Sequence, residues 1–594
     1  MTALSRFLGN AMKMPPAQSH SVKVERNLAI PMPDGVVLLA DRFIPAGGAD
    51  APLVLVRSPY GRKNMFGTLF GTIFAERGLQ VLVQSCRGTF GSGGEFDPFE
   101  ETEDGLATVA WLRKQEWYPG SFATCGPSYL GMVQWAIAAQ AGPDLKAMVL
   151  LVTTSDPYST FYDGGSFTLE TSLVWLNLVA HQERRFALIR QARDGKRLKP
   201  LFGQLPLGGL DVAATGQQSA NWQNWVTHTG ARDPFWDSRR WSSARSSLSV
   251  PVSFVGGWYD IFLPGQLRDY AALRAAGQEP YLLIGPWQHT DQDGMAMSVR
   301  ESVAFLRAQL LDGGGGLRAS RVRVHVGGLD GAGAWRDLPY WPPEATEQRW
   351  HLQAGGGLAR ELPEADGPAE AGPAEAGVAE AGVPEVGVPE AAAPDRYVYD
   401  PADPTPSVGG PVLSASIGRG SGPPDNRELE ARSDVLTYTS AALAAALEIM
   451  GQVRADLFVR SSLEHTDFFA RLCDVDPSGQ STGVCDALIR LSPGKIAPEA
   501  DGTTRVLIEL WPTAYVFKAG HRVRLQVSSG AHPRYARNPG SGEPLASATT
   551  LASANQEVYR DPEHPSAVVL PVTSGASAGP AAVGPGLAGP EAVG

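Results

Sequence analysis

The sequence predicts an α/β core with a mostly parallel sheet, a helical insertion within that core, and a C-terminal β-sandwich. Short apolar runs alternate with helical periods over residues 23–152 and again over 250–318. Residues 153–249 lack this alternation, and from residue 319 to 573 apolar residues recur at every second position. Because 594 residues exceed what one ordinary core accommodates, several domains are expected.

The core is predicted from continuous apolar runs, which indicate strands buried on both faces and covered by helices. The predicted strands are residues 36–43, 53–56, 81–83, 122–125, 147–152, 252–255 and 281–284. The predicted helices are residues 104–117, 134–139, 263–275 and 298–311. The core therefore has a first part at 23–152 and a second part at 250–318.

The insertion at 153–249 is rich in Trp, Tyr, Gln and Arg. It contains a helical stretch at 172–193 and no convincing strand, which predicts a helical cap between the two halves of the sheet. Insertions at such a place often lie over a substrate site.

The region 319–573 alternates apolar and polar residues in several segments, as strands buried on one face do. Examples are Val322/Val324/Val326, Val453/Ala455/Leu457/Val459, Val506/Ile508/Leu510 and Val523/Leu525/Val527. A β-sandwich is the natural fold for such strands. A five-residue repeat at 367–391 and the tail at 574–594 are rich in Pro and Gly, which predicts a disordered loop at about 362–394 and a disordered tail.

The composition excludes several classes of protein. A net charge of −12 without a dense Lys/Arg run argues against nucleic acid as a partner. The N-terminal 21 residues lack the apolar core of a signal peptide, and no run of 18 apolar residues predicts a membrane span. Four cysteines are too few for a disulfide framework, so Cys473 and Cys485 are expected to be ordinary thiols, the alternative being a pair across a hairpin. We expect a soluble cytoplasmic protein.

The segment CGPSYLG at 125–131 is the strongest local signal for chemistry. Ser128 lies between a predicted strand and a predicted helix, where a sharp turn displays a nucleophile. Glycine usually follows such a serine after two residues, whereas here Gly131 follows after three. A helix N-cap serine is the alternative.

Two further residues favour the nucleophile. Asp260 follows the strand at 252–255, and His289 follows the strand at 281–284. A serine hydroxyl needs a histidine as base, and the histidine needs an acid that fixes its tautomer. The chain order serine, acid, histidine is that of an α/β-hydrolase, so we predict Ser128, Asp260 and His289 as a catalytic triad.

The oxyanion of an acyl-transfer intermediate needs two donors. The backbone N–H of Tyr129, directly after the nucleophile, is one candidate. Tyr60 follows the strand at 53–56, and its hydroxyl could reach the site, although a packed loop aromatic is the common alternative.

The segment GTFGSGG at 88–94 fits neither nucleotide-binding glycine pattern, which favours a glycine-rich active-site loop. No Cys/His group has zinc spacing, so neither a metal nor a cofactor is predicted.

At these residues the chain resembles the CocE/NonD hydrolases, the family of cocaine esterase and X-Pro dipeptidyl-peptidase. The resemblance runs from about residue 23 to 572. Its specific motifs are RSPY (57–60), CRG (86–88), GSGG (91–94), GPSYLG (126–131), GWYD (257–260), GPWQH (285–289) and TDF (466–468). The late glycine after the serine is a feature of this family.

The resemblance implies an α/β-hydrolase core, an inserted helical cap and a C-terminal jelly roll. It implies Tyr60 as the side-chain oxyanion donor. Trp258 and Trp287 are two further candidates, for the substrate pocket. The expected substrates are small esters, amides or short peptides. The family spans esterases, α-amino-acid ester hydrolases, acylases and dipeptidyl-peptidases, so ester and peptide stay open.

Family members that act on peptides hold the substrate amine with carboxylates. Asp156, Asp163 and Glu170 could do so, with solvated cap charges as the alternative. A homodimer stays open. The rival class is a non-catalytic carbohydrate-binding or scaffold protein with a decayed hydrolase core, against which the complete set of triad residues argues.

Overall fold

The computed structural model describes residues 3–19, 21–48, 50–185, 187–311, 316–329, 334–363, 393–413 and 425–573. The repeat at 367–391 and the tail at 574–594, for which the sequence predicts disorder, lie outside the described residues. No helix within the described ranges is long and apolar enough to cross a membrane.

The first part of the chain is built on a ten-stranded mixed sheet. The strands up to residue 338 are β1 (Val22–Pro31), β2 (Val37–Pro45), β3 (Leu53–Ser58), β4 (Gln80–Ser85), β5 (Phe122–Pro127), β6 (Leu145–Leu151), β7 (Tyr162–Asp163), β8 (Ser166–Phe167), β9 (Val252–Tyr259), β10 (Tyr281–Gln288), β11 (Val322–His325) and β12 (Trp335–Leu338). The sheet order is β1-β2-β4-β3-β5-β6-β9-β10-β11-β12, while β7 and β8 pair with each other.

The central strands are parallel, and the edges are antiparallel. β4, β3, β5, β6, β9, β10 and β11 are parallel to one another, whereas β1 with β2, β2 with β4, and β11 with β12 are antiparallel. The expected mostly parallel sheet with helices, followed by an all-β domain, is confirmed as the fold class.

Helices cover both faces of this sheet and form the insertion. They are α1 (Ala3–Ala11), α2 (Asn64–Phe66), α3 (Ile73–Ala75), α4 (Thr102–Leu112), α5 (Tyr129–Ala138), α6 (Tyr158–Phe161), α7 (Leu169–His181), α8 (Ala187–Leu198), α9 (Leu210–Thr215), α10 (Ala220–Thr227), α11 (Ala244–Ser247), α12 (Leu263–Ala275), α13 (Gln292–Leu310) and, in the all-β domain, α14 (Arg427–Glu430). A π-helical segment, Gly67–Thr72, joins α2 to α3.

The core explains why β3 is a continuous apolar run. Leu53 and Leu55 pack into one hydrophobic cluster, and Val54 and Val56 pack into another. Successive side chains of a strand point to opposite faces, so a strand covered on both faces needs apolar residues at every position.

The boundary expected at 318/319 requires a correction. β11 contains Val322 and Val324, whose alternation was assigned to the sandwich, yet it pairs in parallel with β10. β12 then closes the edge, so the first sheet continues to Leu338. Apolar and polar residues alternate in a strand that is buried on one face only. Such strands occur near the edge of the first sheet as well as in the all-β domain, so the alternation alone does not locate the boundary.

The insertion carries the helices α6 to α11, and two expectations for it were wrong. β7 and β8 form a two-stranded hairpin where no strand was expected. The helix expected at 172–193 is two helices, α7 and α8. We call the segment between β6 and β9 the cap.

The all-β domain contains thirteen strands within the described residues. They are β13 (Thr346–Gln353), β14 (Gly357–Ala359), β15 (Asp395–Tyr399), β16 (Leu436–Ser440), β17 (Leu447–Gly451), β18 (Arg454–Ser461), β19 (Thr466–Val475), β20 (Ser481–Leu491), β21 (Thr504–Glu509), β22 (Thr513–Phe517), β23 (Arg522–Ser528), β24 (Ala554–Tyr559) and β25 (Ala567–Val572). β19 pairs with β20, where Cys473 faces Gly483 and Cys485 faces Leu472, so the two thiols are free, as expected.

The all-β domain holds the cap hairpin directly. The carbonyl of Gly164, in the turn between β7 and β8, accepts hydrogen bonds from the Arg490 N–H at 2.9 Å and the Lys495 Nζ at 3.1 Å. Gly164 has φ +59°, and a Cβ there would lie 1.7 Å from the Leu488 carbonyl oxygen. Only glycine allows the hairpin and the β-domain backbone to approach this closely.

Candidate active site

Ser128 lies on the sharp turn between β5 and α5. Its backbone has φ 57° and ψ −126°, a conformation that non-glycine residues rarely adopt. The Ser128 N–H donates to the Leu151 carbonyl at 2.9 Å, and Thr153 Oγ1 donates to the Ser128 carbonyl at 2.8 Å. The turn is thus tied to the end of β6. A strained and well-held serine at a strand–helix junction is the geometry of a nucleophile elbow.

The delayed glycine is accommodated by the packing of this turn. Leu130 occupies the position where glycine usually follows, and its Cβ lies 2.4 Å from where a Cβ on Gly126 would be. The absence of a side chain at Gly126 therefore makes room for Leu130.

His289 and Asp260 complete a hydrogen-bonded series with Ser128. His289 Nε2 lies 3.1 Å from Ser128 Oγ, and His289 Nδ1 lies 2.7 Å from Asp260 Oδ2. Asp260 is 1% exposed, and its Oδ1 accepts the Phe262 N–H at 2.8 Å. Both carboxylate oxygens are thus held. The structure brings the three predicted residues together in the order that nucleophilic catalysis requires.

Two candidate oxyanion donors, the Tyr129 backbone N–H and the Tyr60 hydroxyl, lie close to Ser128. Tyr129 is the first residue of α5, so no carbonyl of that helix accepts its N–H. The Tyr60 hydroxyl accepts the Trp175 Nε1–H at 3.0 Å, and the Ser128 side chain lies near it. Burial raises the pKa of Tyr60 to about 12, and the Trp175 and Ser128 side chains only partly offset this effect, so the hydroxyl keeps its proton at neutral pH.

A buried ion pair connects the segments that carry these donors. Arg57 Nη2 lies 2.7 Å from Glu101 Oε2, and the two side chains are 2% and 3% exposed. The Tyr129 hydroxyl donates to Glu101 Oε1 at 2.7 Å. Arg57 precedes Tyr60 by three residues, so this network fastens the Tyr60 loop to the first residue of α5. Glu101 was not predicted for the site, because it is one of six acidic residues between positions 95 and 104 and no pattern distinguishes it from the others.

Aromatic side chains contact the residues next to Ser128. The Phe262 ring contacts the His289 ring with centroids 5.2 Å apart. Trp175, on α7 of the cap, stacks on Tyr129 and bonds to Tyr60. Neither Phe262 nor Trp175 was predicted for the site. Phe262 lies two residues after Asp260 and could have been suspected from that position, whereas no signal in the sequence marks Trp175.

Trp258 and Trp287, the two candidates for the substrate pocket, are both largely buried, and their role in the pocket stays a prediction. Trp258 is 8% exposed, donates its Nε1–H to the His325 carbonyl at 2.6 Å, and packs on Trp341. Trp287 is 8% exposed and packs on Trp335. Both indoles therefore contribute to packing, and Trp258 also lines a small cavity together with Tyr259 and Trp511.

The cap carboxylates suggested for a substrate amine are all engaged. Asp156 pairs with Arg240 Nε at 2.9 Å. Asp163 accepts the Tyr535 hydroxyl at 2.5 Å and the Trp511 Nε1–H at 3.2 Å. Glu170 is 1% exposed and accepts the Leu413 N–H at 2.9 Å. The alternative of solvated charges is wrong for Glu170, which is a buried structural acceptor.

The glycine-rich loop at 88–94 lies beside the Tyr60 loop. Arg62 Nη1 donates to the Phe90 carbonyl at 2.6 Å, and the Phe90 ring lies against Gly61. Within the ranges that the structure describes, no group of three or more His, Cys, Asp or Glu side chains is suited to hold a metal ion.

The fold and the arrangement around Ser128 are those of an α/β-hydrolase of the serine type. Residues 34–291 match the X-Pro dipeptidyl-peptidase (S15 family), and residues 306–569 match the X-Pro dipeptidyl-peptidase C-terminal non-catalytic domain. The chain is 31% identical over 590 residues to the cocaine esterase of Rhodococcus sp. (strain MB1 Bresler), with 92% of this chain and 98% of the relative covered. The chain therefore belongs to the cocaine esterase/X-Pro dipeptidyl-peptidase (CocE/NonD) family of serine hydrolases, as the sequence motifs implied.

Two solved structures share the fold. An α-amino acid ester hydrolase superposes with a TM-score of 0.76 at 24% identity, covering 94% of this chain and 98% of the other. A CocE/NonD family hydrolase from Staphylococcus aureus superposes with a TM-score of 0.64 at 17% identity, covering 92% and 93%.

Proposed function

We propose that Ser128, His289 and Asp260 are the catalytic triad of this hydrolase and that Tyr60 and the Tyr129 N–H bind the oxyanion. Ser128 Oγ attacks the acyl carbonyl carbon while His289 Nε2 takes its proton. Asp260 stabilises the imidazolium, and His289 then protonates the leaving alcohol or amine. Water repeats the sequence on the acyl-enzyme. The hydrogen-bonded series from Ser128 to Asp260 is the observation that carries this proposal.

We propose small carboxylic esters as the preferred substrates, with an apolar or aromatic acyl group. The aromatic side chains of Phe262, Trp175 and Tyr60 next to the nucleophile support an apolar acyl group. Asp156, Asp163 and Glu170 already bind other groups of the protein, which supports esters over X-Pro peptides, whose amine needs a carboxylate. The 31% identity to a cocaine esterase supports the same choice.

A substrate panel tests this proposal. The purified protein is first labelled with a fluorophosphonate, which reacts only with an activated serine. Hydrolysis of para-nitrophenyl benzoate, a phenylalanine para-nitrophenyl ester and an Ala-Pro-para-nitroanilide is then compared. We expect labelling and the highest kcat/KM on the benzoate. A higher kcat/KM on the Ala-Pro anilide would replace the ester assignment by dipeptidyl-peptidase activity, and absent labelling would refute the serine mechanism.

The remaining proposals concern organisation and location. We propose that the hydrolase core consists of residues 23–152 and 250–338 and that the cap is residues 153–249. The jelly-roll domain follows at residues 339–573. Four free thiols support a cytoplasmic location, since thiols persist in reducing compartments. We also propose a homodimer, which light scattering distinguishes from the 63.1 kDa monomer.

A further inference from the structure

Trp175 and Tyr60 join the cap to the oxyanion site through one hydrogen bond. Trp175 Nε1 lies 3.0 Å from the Tyr60 hydroxyl oxygen, although the two residues are 115 positions apart in the chain. Trp175 lies on α7 of the cap, and Tyr60 lies on the loop after β3.

The chemistry of the participating groups fixes the direction of each hydrogen bond in this site. An indole N–H can only donate, and an ionised carboxylate can only accept. Trp175 therefore donates to Tyr60, and the single Tyr60 proton points away from the indole. Ser128 then donates to His289 Nε2, and His289 Nδ1–H donates to Asp260. The Trp175–Tyr60 bond therefore begins at a donor-only group, and the Ser128–His289–Asp260 series ends at an acceptor-only group.

We propose that Trp175 is a positioning residue for acyl transfer, which acts by holding the Tyr60 hydroxyl as a donor towards the acyl oxygen. The inference rests on the proposed role of Tyr60 in the oxyanion site. When the acyl oxygen arrives, the Tyr60 proton points to that oxygen, and the bond from Trp175 stays in place. Hydrogen bonds in such a series polarise one another, so a hydroxyl that accepts one bond donates a stronger one. The cap thus contributes to the chemical step as well as to the walls of the site.

The surroundings of Trp175 make it a rigid donor. Its ring stacks on Tyr129 at 6.0 Å, on Phe99 at 5.7 Å and on Trp225 at 5.4 Å between centroids. Tyr129 also supplies the backbone donor. The same indole therefore contacts both residues that face the oxyanion.

A double-mutant cycle separates this role from simple packing. Trp175→Phe removes the N–H and keeps an aromatic ring in the stack, while Tyr60→Phe removes the proposed recipient. Trp236→Phe is the matched control, because Trp236 also donates its Nε1–H to a cap carbonyl, that of His228, at 2.9 Å. Each variant is measured with para-nitrophenyl acetate and para-nitrophenyl benzoate, and the active-site concentration is taken from fluorophosphonate titration.

We expect Trp175→Phe to lower kcat about 10-fold for both esters, the rate equivalent of one hydrogen bond. KM should change by less than about 3-fold, because the bond acts mainly when charge develops on the oxygen. In the Tyr60→Phe background the same change should have no further effect on kcat. Trp236→Phe should leave kcat close to that of the parent.

An equal loss of kcat in the parent and in the Tyr60→Phe background would overturn the inference. A change in KM alone, or a loss seen only with the benzoate ester, would also overturn it, because such an effect is expected of a residue that merely lines the substrate pocket. If Trp175→Phe does not fold, replacement of Trp175 by benzothienylalanine removes the N–H and keeps the bicyclic shape, with the same expectations. An unlabelled and inactive parent protein would refute the proposed function itself, which is a different result.

Discussion

Gly131 and Thr153 are in such close contact that no side chain fits between them. A Cβ on Gly131 would lie 2.4 Å from Thr153 Cγ2 and 2.5 Å from Thr153 Cβ. Thr153 in turn donates its hydroxyl proton to the carbonyl of Ser128. Thr153, two residues after the end of β6, therefore requires a glycine at position 131 in the turn that carries Ser128.

Gly131→Ala should destabilise the fold and displace the nucleophile. Overpacking of this kind costs about 1–3 kcal/mol, and we expect a loss of that size in the free energy of unfolding with a lower kcat. Urea unfolding and ester hydrolysis measure the two effects. Gly230→Ala is the control, since a Cβ there meets no atom within 4 Å. The double variant Gly131→Ala/Thr153→Gly removes the side chain that the new methyl group would meet, so it should recover part of the lost stability. No recovery would show that the clash lies elsewhere.

Ser128→Ala should abolish hydrolysis and fluorophosphonate labelling while the protein stays folded. Loss of the nucleophile costs several orders of magnitude in kcat, because the triad acts as a unit. Circular dichroism and the labelling reaction check the two halves of this prediction. The exposed Ser246 provides the control variant Ser246→Ala, which should be labelled normally. Retained labelling of Ser128→Ala would identify another serine as the nucleophile.

Asp260→Asn should lower kcat by on the order of 10,000-fold with little change in the fold. The amide has nearly the shape of the carboxylate, and Oδ1 can still accept the Phe262 N–H. It no longer stabilises the imidazolium, and an amide nitrogen facing Nδ1 favours the wrong tautomer of His289. Steady-state kinetics and melting temperature are the measurements. A kcat within 10-fold of the parent would remove Asp260 from the triad.

Tyr60→Phe should lower kcat about 100- to 1,000-fold, the effect of losing one oxyanion donor, with KM nearly unchanged. The ring keeps its stacking on Phe66, so packing is preserved. Tyr118→Phe is the control, because it also removes a partly buried tyrosine hydroxyl, which donates a hydrogen bond to Asp144 at 2.6 Å. A kcat within a few-fold of the parent would make Tyr60 a packed aromatic, and the second donor would have to be a backbone amide near Gly61.

His532 should make the stability fall in mild acid. Burial lowers the pKa of its imidazole from 6.5 to about 4, and the Arg537 charge acts in the same direction. The unfolded chain takes up the proton near pH 6.5 and the folded chain only near pH 4, so stability is lost as pH falls between these values. The loss from this group reaches about 3 kcal/mol.

His532→Gln should remove this part of the pH dependence. The free energy of unfolding of the variant should fall less steeply between pH 6.5 and pH 4.5, by up to about 1.4 kcal/mol per pH unit. Urea unfolding of both proteins across this range gives the two slopes. Parallel slopes would show that the imidazole is not buried in the neutral form.

The elements that carry the candidate triad follow from local patterns. The helix expected at 263–275 coincides with α12, and the strands expected at 252–255 and 281–284 begin where β9 and β10 begin. These strands are apolar at nearly every position, so the pattern is unambiguous, and the polar residue that follows each strand is found by position alone.

Other parts of the site depend on contacts between distant residues. The Trp175–Tyr60 bond and the Arg57–Glu101–Tyr129 network each join segments far apart in the chain, and no local period marks them. The β7–β8 hairpin has two residues per strand, too few for any alternation to show. The strand β11 has the alternation of a sandwich strand because it lies near the edge of its sheet.

The contact at Gly164 limits how this architecture can be recombined. The cap hairpin ends against the backbone of β20, so the two halves of the chain are not interchangeable modules. A chimera that takes its C-terminal domain from another hydrolase must also supply a backbone that accepts this turn at the position of Leu488. If only the cap is exchanged, the new cap must have a glycine at the position of Gly164 in the hairpin turn. In libraries that exchange whole domains, the β7–β8 hairpin and β20 should therefore come from the same parent protein.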